Sequence, residues 1–161
     1  MTLLCVLGIW VEPVLAHRPH DVVTQVEVSP NYDQDQTVLI IVRGNLYLSS
    51  DGGLAWQRIV QGLDTIAALT DLELSQGAGQ LALMGTAGGG VYRSLDQGMS
   101  WEKSGEGLTD LDIQKIAIAP DAPTLALAAG QSGVLYRTAD AGVSWQPVLS
   151  NEEPIEAIGF S

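Results

Sequence analysis

Short apolar runs come along this chain in sets of four, and the set then starts again. Runs over 24–29, 37–42, 46–49 and 56–60 are followed by runs over 68–74, 80–85, 91–94 and 101–104. A third set occupies 113–119, 124–129, 134–138 and 145–149. Each run has the length of a strand, and the sets are punctuated by Gly, Pro and Asp, residues that turn a chain. No window places apolar residues at i, i+3 and i+4 between capping residues, so no helix is predicted. The second run of a set, such as 37–42 or 124–129, is apolar at consecutive positions. That predicts strands covered on both faces, as where sheet packs on sheet.

A signature sits between the third and fourth run of every set. It reads Ser49-Ser50-Asp51-Gly52-Gly53-Leu54-Ala55-Trp56, then Ser94-Leu95-Asp96-Gln97-Gly98-Met99-Ser100-Trp101, then Thr138-Ala139-Asp140-Ala141-Gly142-Val143-Ser144-Trp145. The three Asp residues are spaced by 45 and 44, and so are Tyr47, Tyr92 and Tyr136 and also Gly44, Gly89 and Gly133. Gly62-Leu63 and Gly107-Leu108 recur after the first two signatures. A fixed period of this size marks a repeat architecture, and four short strands per period is the form of a propeller blade.

The signature reads as a hairpin turn. An Asp side chain accepts hydrogen bonds from backbone N–H groups just after it and closes the loop. The Gly two residues on permits positive φ, the hydroxyl of Ser or Thr satisfies a further backbone group, and the Trp lays a large ring on the blade while keeping its indole N–H near an acceptor. The expected structural set is therefore Ser49, Asp51, Gly53 and Trp56, with Ser94, Asp96, Gly98 and Trp101, and Thr138, Asp140, Gly142 and Trp145. Arg93 and Arg137 follow the repeated Tyr at equivalent positions, where the first set has Leu48, which fits a scaffold role better than an anion clamp.

The form Ser/Thr-x-Asp-x-Gly-x-x-Trp resembles the Asp-box, or BNR repeat, of sialidase-like and sortilin-like β-propellers. The resemblance implies an all-β fold of four-stranded antiparallel blades, at about 22–62, 63–107 and 108–150. Residues 155–161 read like 113–119, so 151–161 are expected to open a further blade. Propellers usually have four to eight blades. Three blades and a strand therefore imply a fragment or truncated relative of a larger propeller of about six to eight blades, with a part-ring completed by self-association as the alternative, because an open stack leaves apolar faces bare.

Residues 1–16 differ from the rest. An apolar run over 3–11 is broken by Glu12-Pro13, and Val14-Leu15-Ala16 precede His17. That order is expected of a secretory signal peptide cleaved after Ala16, leaving 17–161 as the exported domain in a periplasm, thylakoid lumen or extracellular space. The alternative is an apolar first strand. The run is too short to span a bilayer comfortably, so no direct membrane span is expected. Cys5, the single cysteine, lies within it and excludes an internal disulfide.

The formal charge of −12, with seven Lys and Arg, excludes a nucleic-acid partner, because phosphate binding needs a basic face. A protein partner should be neutral or basic. Among Asp-box propellers the resemblance offers sialidases, xyloglucan-type glycosidases, sortilin-type receptors and photosystem II assembly factors. The sialidase Phe-Arg-Ile-Pro signature is missing, since the only Phe is Phe160, followed by Ser161. A glycosidase needs two carboxylates held apart across a cleft, and Asp64, Asp110, Asp112, Glu152 and Glu153 in connecting loops are the candidates. Asp33-Gln34-Asp35 resembles the start of a calcium loop but lacks its Gly and distal Glu, and Gly-rich 85–90 lacks the Lys and helix of a phosphate loop. No metal and no cofactor is expected. The small units, short connections and leader are nearest in style to the exported photosystem II assembly and stability factors. The expected function is a non-catalytic exported scaffold that binds another protein, such as a membrane-complex subunit, with glycoside hydrolysis as the alternative.

Overall fold

The computed structural model describes residues 22–64, 67–76 and 80–160. The leader, Cys5 and the His17-to-Asp21 segment lie outside the described residues. The first sheet contains β1 (Val23–Val28), β2 (Val38–Val42), β3 (Asn45–Ser49) and β4 (Gln57–Ile59). The second contains β5 (Ala68–Leu74), β6 (Ala82–Ala87), β7 (Gly90–Ser94) and β8 (Glu102–Ser104). The third contains β9 (Ile113–Ile118), β10 (Ala126–Gly130), β11 (Val134–Thr138) and β12 (Gln146–Ser150). All three sheets are antiparallel meanders with strands in chain order, and these are three blades of a β-propeller. The first strands, β1, β5 and β9, lie side by side, which makes them the innermost strands of the arc.

Alternation along each strand assigns the two faces of every blade. On β6, Ala82 and Met84 join Leu39, Ile41 and Leu46 of blade 1 in one core, while Leu83 joins Ile116, Ala126 and Tyr136 of blade 3 in a second. The period of two thus lets one apolar strand serve two cores, which is why the second run of each set carries no polar alternation. Below, the leading face of a blade is the one turned toward the preceding blade, and the trailing face is the opposite one.

Two local findings depart from the sequence reading. One helical turn, α1 (Tyr32–Asp35), occupies the connection between β1 and β2. It is too short to carry a 3.6-residue period, and it is held locally: the Asp35 carboxylate accepts the Ser29 hydroxyl at 2.7 Å and the Thr37 N–H at 2.9 Å. Residues 151–160 form no strand. Ile158 and Phe160 instead line a cleft with Ile116 and Ile118, beside the innermost strand of blade 3. An innermost strand forms its ladder with the second strand of its own blade, and 151–160 have no such partner among the described residues. No described helix is long and apolar enough to cross a membrane.

Candidate functional site

The three signatures fold into nearly superimposable turns. Ser49 Oγ donates to Asp51 Oδ1 at 2.7 Å and accepts the Gly53 N–H at 2.8 Å, and Asp51 Oδ1 accepts the Ala55 N–H at 2.9 Å. Ser94 and Asp96 repeat this with Gly98 and Ser100 at 2.7, 2.8 and 2.9 Å, and Thr138 and Asp140 with Gly142 and Ser144 at 2.6, 3.0 and 2.9 Å. Ser100 and Ser144 add hydroxyl donors to the second carboxylate oxygen, each at 2.6 Å, where the first turn has Ala55. These donors stabilise the ionised form. The Ser144 hydroxyl, with the Ser144 N–H and Thr138, draws Asp140 down to about 2. Asp51 is lowered by the Ala55 N–H and Ser49. For Asp96, partial burial pushes upward, but Ser100 and Ser94 outweigh it and the carboxyl stays below its usual value. Carboxylates held this way make poor general acids.

The second and third turns also join their blades to the ones before. Trp101 N–H donates to the Gln61 carbonyl at 3.2 Å and Trp145 N–H to the Glu106 carbonyl at 2.8 Å. Gly62 and Gly107 sit so close to the Trp101 and Trp145 carbonyls that a Cβ at either would overlap them, and both have positive φ, +78 and +87. Both indoles are buried, at 4 and 2 % exposure, whereas Trp56 is only partly covered. Trp101 Nε1 donates to the Gly98 carbonyl at 3.0 Å. Trp145 Nε1 is buried with no acceptor among the described residues, so the expected polar handle is absent there.

The loop carboxylates do not converge on a cleft. Asp110 accepts the Ser132 N–H at 2.8 Å and the Asp112 N–H at 2.9 Å, and it fills the space beside Gly130. Burial pushes its carboxyl upward, but Ser132 and Asp112 outweigh that and lower it. The Asp110 N–H in turn meets the hydroxyl of the repeated Tyr136 at 2.9 Å. Asp112, Glu152 and Glu153 are exposed, and Asp64 borders a cleft of about 30 Å³, room for one water. Arg93 pairs with Glu102 of its own blade at 2.6 Å.

Sequence reasoning missed a second set of polar residues, on the innermost strands. Gln25 holds both the N–H and the carbonyl of Leu72 in the next blade, and Asp71, one repeat on, accepts the Ile116 N–H at 2.7 Å. Glu27 and Glu73 lie nearby. Burial, then the charges of Glu27 and Asp71, push Glu73 up to about 7. Glu27 is also raised, by burial first, with a Gln25 hydrogen bond opposing and Asp71 adding. The available signal was that 68–74 alone among the innermost runs alternates Leu with two carboxylates.

Blade 1 has no preceding blade among the described residues. Its leading face forms an apolar concavity of about 620 Å³ walled by Val26, Val38, Ile40, Gly53, Leu54 and Trp56. Val26 is 54 % and Leu54 80 % exposed.

No protein-family model matches the chain, and no curated protein matches it in sequence. Solved structures do resemble it. YCF48 from Cyanidioschyzon merolae aligns with a TM-score of 0.62 at 18 % identity over 84 % of this chain and 39 % of its own. The GH74 enzyme of Niastella koreensis aligns at 0.69 and 17 % identity over 80 % of this chain and 22 % of its own. A structure of YCF48 bound to D1 peptide aligns at 0.60 and 20 % identity over 79 % of this chain and 40 % of its own. The chain thus spans less than half the length of these propellers, and the likeness establishes the fold.

Proposed function

We propose that this chain is a non-catalytic, exported β-propeller scaffold that binds another protein and serves as an assembly or stability factor for a membrane complex. The observation that supports this most is how its carboxylates are used. Asp51, Asp96 and Asp140 each accept two or more N–H or O–H groups from their own turns, and Asp110 ties its loop to the β10–β11 turn through the Asp112 and Ser132 N–H groups, so they hold the loops rather than face a substrate. The net charge of −12 favours a basic or neutral segment as the partner. Because a propeller of similar fold has been solved with D1 peptide, that peptide is the first probe. Titrating the full chain with it and following Trp fluorescence should give saturable binding that weakens with salt. Sugar release from xyloglucan oligosaccharides without any peptide response would overturn the reading.

One observation favours glycoside hydrolysis as a second reading. Glu73, Glu27 and Asp71 lie together on the innermost strands, with Glu73 pushed up to about 7 by burial and by those two charges, and a set of neighbouring carboxyls is what glycoside cleavage uses. Under that reading Glu73→Gln abolishes xyloglucan cleavage.

A further inference from the structure

An antiparallel meander puts the first and third connections of each blade at one end and the second connection at the other. Backbone bonds tie the first and third together: the Gly52 N–H donates to the Gln36 carbonyl at 3.0 Å, Gln97 to Gln80 at 3.0 Å and Ala141 to Thr124 at 2.9 Å. All three signature turns therefore lie at the same end of the arc. The third residue after the repeated Asp is apolar in every turn, as Leu54, Met99 and Val143, and it stands 80, 62 and 46 % exposed. Leu95 adds a further side chain at 57 %. The hydrogen bonds of the turns come from their neighbours, so the fold itself does not require an apolar residue there. Blade 2 decides what this means. It is packed on both sides, with Leu39 of blade 1 against Gly98 and its own Leu83 against Gly142 of blade 3. Met99 and Leu95 are bare all the same, and a further blade at either end of the arc would leave them so.

The same end carries acid and no base. Its connections, 29–37, 50–56, 75–81, 95–101, 119–125 and 139–145, hold Asp33, Asp35, Asp51, Asp96, Asp121 and Asp140 and no Lys, Arg or His. Asp51, Asp96 and Asp140 take their hydrogen bonds from neutral N–H and O–H donors, which hold the charge in place rather than cancel it. Arg93 lies on β7 just before the second turn and is already paired with Glu102. Between blades 1 and 2 the rim is indented by a groove of about 420 Å³, walled by Gly62, Leu95, Asp96, Ser100 and Trp101. An exposed leucine and a carboxylate thus border one concavity. We propose, on the scaffold reading above, that this end of the arc is the docking surface and that it takes an amphipathic basic segment of a partner protein. The segment's apolar side chains sit on Leu95, Met99 and Val143, and its Lys or Arg side chains lie among the aspartates. Charge complementarity selects this occupant, because an acidic segment is repelled and a wholly apolar one leaves the carboxylates unanswered. The apolar contacts set the affinity, and the exposed carboxylates set the approach and its salt dependence.

The probe is a synthetic peptide of alternating Leu and Lys, titrated into the full chain. An environment-sensitive dye on Met99→Cys, in a Cys5→Ser background, should report saturable binding that weakens with salt. The same dye on Leu111→Cys should stay silent, since Leu111 is exposed at the opposite end, where its carbonyl accepts the Gly90 N–H. In calorimetry of the undyed chain, Leu95→Ser and Met99→Ser should each weaken the peptide by about threefold or more, and Leu111→Ser should leave it unchanged. Peptides of alternating Ser and Lys, or of Leu and Glu, should bind about tenfold more weakly or worse, because each lacks one half of the match. D1 peptide separates this assignment from the scaffold reading. If D1 peptide binds while the Met99 dye and the two serine variants are indifferent to both peptides, the face is wrong and the scaffold reading stands. If neither peptide binds, both fall. A dye response to phosphatidylcholine vesicles with none to the Leu–Lys peptide would make this end a membrane contact and overturn the proposal.

Discussion

The junctions on the two sides of blade 2 and the bare face of blade 1 are built from the same positions and differ only in what lies opposite. Trp101 and Trp145 are buried beneath the preceding blade and stitched to it through Gln61 and Glu106, whereas Trp56 sits in an equivalent turn and is only partly covered. The turn therefore forms without a neighbour, because Ser49, Asp51, Gly53 and Ala55 satisfy one another within eight residues. Blade-to-blade packing is a separate layer of stability added on top. That separation predicts unequal costs for equal substitutions.

The largest difference should appear at the indoles. Trp101→Ala and Trp145→Ala each remove a fully buried ring from a junction and should cost about 3–5 kcal/mol in chemical denaturation. Trp56→Ala should cost about 1 kcal/mol or less, since its ring is already partly in water. Equal losses at all three would mean that the turn, not the junction, carries the ring's contribution.

Gly107 comes next. An alanine there meets the Trp145 carbonyl and a φ of +87, so Gly107→Ala should cost about 2 kcal/mol or more. Gly88 has a similar φ, +83, with open space around it, and Gly88→Ala isolates the conformational cost alone, about 1–2 kcal/mol. The difference between the two substitutions measures how rigidly one blade is seated on the next.

Among the turn carboxylates, Asp96→Ala should cost about 1–3 kcal/mol, because the Ser94 hydroxyl and both the N–H and the hydroxyl of Ser100 lose their acceptor. Asp51→Ala should cost less, since its turn is exposed and lacks the extra hydroxyl of Ser100. Matching thermal melts for wild type and both variants would remove the organising role assigned to these side chains.

Much of this architecture was legible in the residues. The repeat of Tyr47, Asp51 and Trp56 in later units sets the spacing of the hairpins, and the runs 68–74 and 134–138 coincide with β5 and β11. Features that depend on one-turn or cross-blade contacts were not legible. The helix Tyr32–Asp35 is a single turn tied to its flanks by the Asp35 carboxylate, which accepts Ser29 and Thr37, and it is too brief to imprint a period. Residues 155–160 have the composition of a strand, but a strand needs an edge to pair with, and composition does not report the edge. The stitching roles of Gln25 and Asp71 were hidden because a polar residue alternating with Val or Leu reads as a solvated face, whereas the innermost strands turn that face toward the next blade.

The smallest expected effect concerns pH, and it again separates junction from surface. Glu73 is held near 7 by burial and by the charges of Glu27 and Asp71, against an ordinary value of 4.5. Between those values the folded chain keeps a proton that the unfolded chain has lost, so raising the pH through this window favours unfolding. Below 4.5 the group is protonated in both states and contributes nothing. Asp140 works in the opposite direction: its carboxyl, near 2 against 3.8, stabilises the fold above 3.8 and loses that contribution as pH falls toward 2. Glu73→Gln should therefore leave the melting temperature near that of wild type at pH 4 and raise it at pH 8. The bare face of blade 1 is walled without a carboxylate, so Val26→Leu should show the same offset from wild type at both pH values. If Glu73→Gln shifts the melt equally at pH 4 and pH 8, the innermost carboxylates are solvated rather than confined between blades, and the junction they occupy is looser than its hydrogen bonds indicate.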